Sequence, residues 1–255
     1  MLNFYHRTLG STYFHKIIVG MPSPRVIFLW GFKMSTAILI DGGFFIKRYR
    51  SSYPNETDPR RIAKSLYDMC LKHISQKDRE TNRELYRIFY YDCPPLLKKV
   101  CNPISNAVID MSKTKESIFR QAFHAELKKL RKVALRLGHL ADHNCWQIVP
   151  DKLKKLLSGG IQINDLKEND VIYVVRQKGV DMKIGLDIAS LAYKRLVNQI
   201  ILVAGDSDFV PAAKLARREG IDFILDPMWN PIRPDLHEHI DGLQSTITRP
   251  KRIKK

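Results

Sequence analysis

Residues 200–203, Ile-Ile-Leu-Val, place four aliphatic side chains in a row, and Ala204-Gly205-Asp206-Ser207-Asp208-Phe209 follows at once. A run without polar alternation suits a strand covered on both faces, the situation of a parallel sheet between two helical layers. Ligands bind at the carboxyl ends of such strands, so Asp206 and Asp208 stand where chemistry is expected. A second run, Thr36-Ala-Ile-Leu-Ile, ends in Asp41-Gly42-Gly43, and Gln177-Lys178-Gly-Val-Asp181 with Asp187 adds two acids at the head of a helical segment. Asp181 and Asp208 taken singly also have the chemistry and position of helix N-caps. Taken together, carboxylates gathered at one mouth of a sheet repel one another and call for a cation or for raised pKa values. Asp and backbone oxygens select a hard ion, Mg2+ or Mn2+, and such an ion suits phosphodiester chemistry.

The rest of the chain supports an α/β reading. After the first strand, 36–41, the Gly42-Gly43 pair is expected to turn sharply. Asp58-Pro59 is an N-cap followed by a first-turn proline, and Ile62, Leu66, Met69 and Ile74 keep helical spacing to about residue 75. Residues 85–91 predict a second strand, closed by Asp92-Cys-Pro-Pro95. Residues 114–137 predict one long basic helix with Ile118, Phe123, Leu127, Leu130 and Ala134 as its apolar stripe. Lys128, Lys129, Arg131, Lys132 and Arg136 lie alongside, as a solvated face or as a surface that tracks phosphates. A short strand over 145–149 and a helical turn over 151–157 follow. From 171 the order is strand (171–175), helix (181–196), strand ending at Asp206, helix (209–218) stopped by Gly220, and strand (222–225). That alternation implies right-handed βαβ units in a parallel sheet.

Forty-three Lys and Arg against 26 Asp and Glu give a net charge of +17. A basic chain that concentrates carboxylates in one place is suited to hold a cation against a polyanion, and nucleic acid leads that class. Arg7, Lys16, Arg25 and Lys33 are unopposed by any acid in residues 1–33. This segment is expected to stand outside the core, as a targeting peptide, a structured extension or, the favoured reading, translation assigned from too early a start with Met34 as the natural one; without it the net charge is still +13. The domain is expected over 34–245, with a helical, basic insertion around 96–169 and a basic tail over 246–255. No run reaches the roughly 18 apolar residues of a membrane span. Cys70, Cys93, Cys101 and Cys145 form no CxxC pair, His139-x3-His143-x-Cys145 fits no common zinc module, and a reduced, cytoplasmic protein is expected. The chain has no GxGxxG after its first strand, no GxxxxGK[ST] and no GxSxG, which removes the dinucleotide, P-loop and nucleophile-elbow readings.

Leu39-Ile-Asp41-Gly-Gly-Phe, Gln177-Lys-Gly-Val-Asp181 with Asp187, and Ala204-Gly-Asp206-Ser-Asp208-Phe, in that order, resemble the NYN domain in its LabA-like branch, a relative of PIN-domain ribonucleases. The resemblance spans about 36–245 and implies a PIN-like three-layer α/β/α fold with a central, mainly parallel sheet. It implies a metal-dependent ribonuclease with Asp41, Asp181, Asp206 and Asp208 around Mg2+ or Mn2+. Asp187 matches a recurring helical acid of the group, and Asp92 in Tyr90-Tyr-Asp-Cys-Pro a further feature near the site. Ala204 stands where Ser is more usual, and 96–169 has no counterpart we can align. By position, Lys178 is a candidate for a substrate phosphate or for holding Asp181, and Ser207 for hydrogen bonding to water at the ion. The expected partner is RNA, with DNA allowed by the same chemistry; PIN-like relatives frequently pair, so a homodimer belongs to the expectation. The competing class is a regulatory adaptor that binds nucleic acid on the same fold without cutting it.

Overall fold

The computed structural model describes residues 33–75 and 82–249, so the expectations for 1–32 and for 250–255 lie outside the described residues. In chain order the elements are β1 (Lys33–Asp41), α1 (Gly42–Ser52), α2 (Pro59–Ser75), β2 (Asn82–Asp92), β3 (Lys99–Cys101), β4 (Val108–Asp110), α3 (Lys115–Lys129), β5 (Val133–Leu137), β6 (His139–Ile148), α4 (Pro150–Leu157), β7 (Val171–Lys178), α5 (Val180–Tyr193), β8 (Gln199–Val203), α6 (Val210–Arg218), β9 (Asp222–Asp226), α7 (Pro234–Glu238) and β10 (Gly242–Leu243).

Six strands form the central sheet in the order β10-β9-β8-β1-β2-β5. β1 runs parallel to β8 from Thr36 opposite Gln199 to Ile40 opposite Val203, β8 runs parallel to β9, and β2 runs parallel to β5. Each apolar strand feeds both faces by its period of two. Ala37, Leu39, Ile200 and Leu202 point into a core with Ile184 and Ile188 of α5 and with Ala213 and Ala216 of α6. Ile38, Ile40, Ile201 and Val203 point the other way, onto Phe45 of α1, Leu66 of α2 and Phe123 of α3. Helices therefore cover both faces, the three-layer α/β/α arrangement of a PIN-like fold. From β1 the chain adds strands on one side through β2 and β5 and on the other through β8, β9 and β10. The order reverses between β1 and β8, and their carboxyl ends flank the resulting crevice.

Four local expectations change. Gly42-Gly43, expected as a sharp turn, is the first turn of α1. The helix expected over 114–137 stops at Lys129, and Lys132 takes a left-handed φ of 61° before the chain re-enters as β5. Val133 and Leu135 pack on one core and Ala134 on the other, which is strand periodicity. The strand expected over 171–175 is longer and lies outside the parallel sheet, because β7 pairs antiparallel with β6, from His139 opposite Lys178 to Ile148 opposite Val171. The short strand expected over 145–149 is the end of β6, which begins at His139. Among the described residues no helix is long and apolar enough to cross a membrane.

Candidate active site

Asp41 closes β1 and caps α1, its Oδ1 accepting the Phe44 amide at 3.1 Å. Asp206 lies three residues past β8, and its Oδ1 accepts the Asp208 amide at 3.1 Å, capping the single turn Ser207–Phe209. Asp181 is the second residue of α5, whose cap is Gly179 at φ 80° and contributes no side-chain bond. The side-chain caps are thus Asp41 and Asp206, and the two residues expected as possible caps, Asp181 and Asp208, cap nothing. Asp181 gains from the α5 N-terminus, where the backbone dipoles favour negative charge.

These four acids share one electrostatic environment. Burial raises Asp41 from the ordinary carboxyl value of 3.8 to about 6, the Phe44 amide opposes that rise, and the charge of Asp181 adds to it. Asp181 is raised by burial, then by Asp206 and Asp208. None of the four has an ion-pair partner among the described residues. No three His, Cys, Asp or Glu side chains of the described residues stand close enough together to form a ready-made ligand set.

The two other acids of the expectation are already neutralised. Asp92 ends β2 at 1% exposure, bound by the Arg120 guanidinium and by His124 Nε2 at 2.9 Å, and it accepts the Cys93 amide at 2.8 Å. Asp187 takes a two-pronged Arg136 contact at 2.9 and 3.0 Å and the Tyr91 hydroxyl at 2.7 Å. A buried carboxylate whose removal strands a guanidinium and a buried imidazole is costly to lose. Asp92→Ala is therefore expected to destabilise the fold by about 3–5 kcal/mol, measured by urea denaturation, whereas a change below about 1 kcal/mol would show that Arg120 and His124 find other partners.

The basic residues expected on one helix face are distributed over three settings. Lys128 and Lys129 end α3, with Lys129 bound to Glu126 at 2.7 Å; Arg131 and Lys132 are in the turn, Lys132 Nζ donating to the Leu85 carbonyl; Arg136 is on β5 and paired with Asp187. Lys178 is exposed at the end of β7.

Beside the carboxylates lies a cavity of about 590 Å³. Its lining joins Asp41, Asp206 and Ser207 to Lys47, Arg48 and Arg233, with Phe44 and Gly205 between. These three cations were not singled out from the sequence. The available signal was spacing: Gly43, Phe44, Lys47, Arg48 and Ser51 fall on one face only if α1 begins directly after Asp41. Arg233 comes from a loop with no distinguishing composition.

A parallel α/β sandwich with unpaired acids at its topological switch point and a cationic cavity beside them belongs to the open α/β class that binds ligands at that point. The model of the NYN domain matches residues 35–228, and the chain belongs to that family. No curated protein matches it. A protein of unknown function from Vibrio parahaemolyticus is similar in structure at 16% identity and a TM-score of 0.41, covering 83% of this chain and 91% of that one. A structure described as the structural basis of sirtuin substrate affinity matches at 12% identity and a TM-score of 0.30, over 88% and 93%.

Proposed function

We propose that the protein is a divalent-metal-dependent nuclease that hydrolyses phosphodiester bonds of RNA. The observation that carries this reading is the sorting of the acids. Asp92 and Asp187 have cationic partners, while Asp41, Asp181, Asp206 and Asp208 have none; beyond the effect of burial, the charge of Asp181 raises Asp41, and those of Asp206 and Asp208 raise Asp181. In a chain of net charge +17, leaving these four unpaired is consistent with a cation from solution as their missing partner. All four are hard oxygen donors, a set that fits Mg2+ or Mn2+. When bound, such an ion would supply water activation and charge neutralisation at the phosphate.

The remaining roles belong to this chain's residues. Asp41, Asp181 and Asp206 would hold the ion, and Asp208 would either join them or orient a water. Asp41 and Asp206 each keep one oxygen on a backbone amide, which fixes their direction and leaves the second oxygen for the ion. Asp187, clamped by Arg136 and Tyr91, braces α5, which carries Asp181. Asp92 acts on Asp41 only through its charge. Lys178 is offered as a phosphate contact and Ser207 as a donor to water in the cavity. Lys128, Lys129 and Arg131 are offered as outer contacts to the strand. The four free cysteines support a reducing, cytoplasmic setting.

The test compares cleavage of structured and unstructured RNAs by wild type and Asp206→Asn, with Mn2+ and with chelator. Wild type is expected to cut only with the ion, and the variant to lose about 10²–10⁴-fold in rate. Cleavage indifferent to both changes overturns the reading. A second reading, an adaptor that binds without cutting, is favoured by the absence of a preformed three-acid set among the described residues. Tight, salt-dependent binding without products under every ion would establish it instead.

A further inference from the structure

We propose that the cavity beside the carboxylates is a subsite for the neighbouring nucleotide of an unpaired strand, with Lys47, Arg48 and Arg233 receiving the phosphate next to the one cleaved. The inference rests on the nuclease reading and adds where the substrate lies and which form it takes.

Three observations carry it. First, one cavity brings together two of the unpaired acids, Asp41 and Asp206, and three cations, so a polyanion seated at the acids lies beside the cations. Along α1, Lys47 lies about 9 Å from Asp41 at 1.5 Å per residue, too far to neutralise it and suited to an adjoining phosphate. Lys47 is exposed and has no hydrogen-bond or ion-pair partner among the described residues.

Second, the far wall is built with care. Met228 and Trp229 hold left-handed φ values of 46° and 63°, a conformation that bulky residues avoid and that persists only where surroundings enforce it. Arg48 donates to the Met228 carbonyl at 2.9 and 3.3 Å, Asp226 accepts the Met228 amide at 2.8 Å, and the Trp229 indole donates to the Ile247 carbonyl at 2.7 Å. These bonds fix the loop that presents Asn230 and Arg233 to the cavity. Arg48 spends two of its five donors on this anchor, leaving three.

Third, the concavity, about 590 Å³ and open to solvent, lies within the size range of small-ligand pockets. A base seated in that open concavity has left the stack of a duplex. Asn230 and Ser51 offer donors and acceptors to a base edge, and Phe44 an apolar surface.

The test is equilibrium binding in chelator, followed by fluorescence anisotropy of a labelled single-stranded oligouridylate of about ten nucleotides, a length within single-strand site sizes. Lys47→Ala/Arg233→Ala is expected to bind about tenfold more weakly, with a salt slope shallower by about 0.7 for each phosphate that is no longer neutralised. Lys64→Ala, an exposed change on α2 outside the cavity, is expected to bind as wild type. Uridine 3′,5′-bisphosphate should compete better than uridine 5′-monophosphate against wild type and no better against the double variant. Unchanged affinity and slope in the double variant, an equal loss in Lys64→Ala, or equal competition by the two nucleotides against wild type would each overturn the subsite. Both variants alter exposed side chains, and matching thermal melts verify their folds. Because no cleavage is read, a protein that binds in this manner yet never cuts RNA refutes the nuclease reading and leaves the subsite standing.

Discussion

Replacing Asp41 by Asn is expected to abolish ion-dependent cleavage, by about 10²–10⁴-fold, and at the same time to make the protein more stable. The stability gain follows from the direction of the Asp41 shift. Its carboxyl is held at about 6 in the fold against 3.8 ordinarily, chiefly by burial. Between those values the folded protein keeps a proton that the unfolded chain has released, so stability falls as pH rises through the window, and above about 6 the whole cost is present. At 1.36 kcal/mol per pKa unit that cost is about 3 kcal/mol. Asn removes it and still caps α1 through the Phe44 amide, since Asn and Asp are comparable N-caps. In chelator at neutral pH the variant should melt roughly 6–12 °C above wild type, and the difference should shrink as pH falls toward 4. Added Mn2+ should raise the melting point of wild type and leave the variant where it is. A variant that melts below wild type at neutral pH would show that Asp41 is a structural cap and nothing more.

Gly42→Ala is expected to cost about 3 kcal/mol or more, the upper end of overpacking. A Cβ there would stand 2.5 Å from the Tyr91 carbonyl oxygen and 2.7 Å from two atoms of the Tyr90 ring. Neither can withdraw easily: both tyrosines are fully buried in β2, and the Tyr90 hydroxyl is bound to the Gly42 carbonyl at 3.2 Å. Gly43→Ala is the control, because its Cβ would meet only Asp41 Oδ1 at 3.4 Å and the Gln177 side chain at 3.7 Å, and Ala favours a helix over Gly by about 1 kcal/mol. Urea denaturation of the two variants should therefore differ by several kcal/mol although the residues are adjacent. Equal stabilities would mean that β2 yields more readily than its burial suggests.

The places where sequence reading succeeded and failed have physical causes. β1 and β8 were legible because Ala37–Ile40 and Ile200–Val203 have no polar alternation, a pattern only a doubly covered strand tolerates. β5 was hidden because Leu127, Leu130 and Ala134 keep helical intervals across the left-handed Lys132, a residue whose identity gives no warning of that conformation. β7 was recognised as a strand but assigned to the wrong sheet, since β propensity says nothing about which neighbour a strand takes. By residue type and position alone the six acids near the site are alike, and only the resemblance set Asp92 and Asp187 apart from the other four. The physical reason for that split, the long-range partners Arg120 and His124 on α3 and Arg136 on β5, is visible only in the folded chain. The cationic cavity was invisible for the same reason: Lys47 and Arg233 meet only after the whole sheet has formed.

The central claim is that Asp41, Asp181 and Asp206 are ligands of one divalent ion, with Asp208 beside it. Anomalous diffraction at the manganese edge, from crystals grown with millimolar Mn2+, reads it directly. The expected result is a single strong peak with carboxylate oxygens of Asp41, Asp181 and Asp206 drawn to within about 2.0–2.2 Å, lost in Asp206→Asn crystals. Carboxylates that stay apart with no peak between them, in a protein that still cuts RNA, would contradict it.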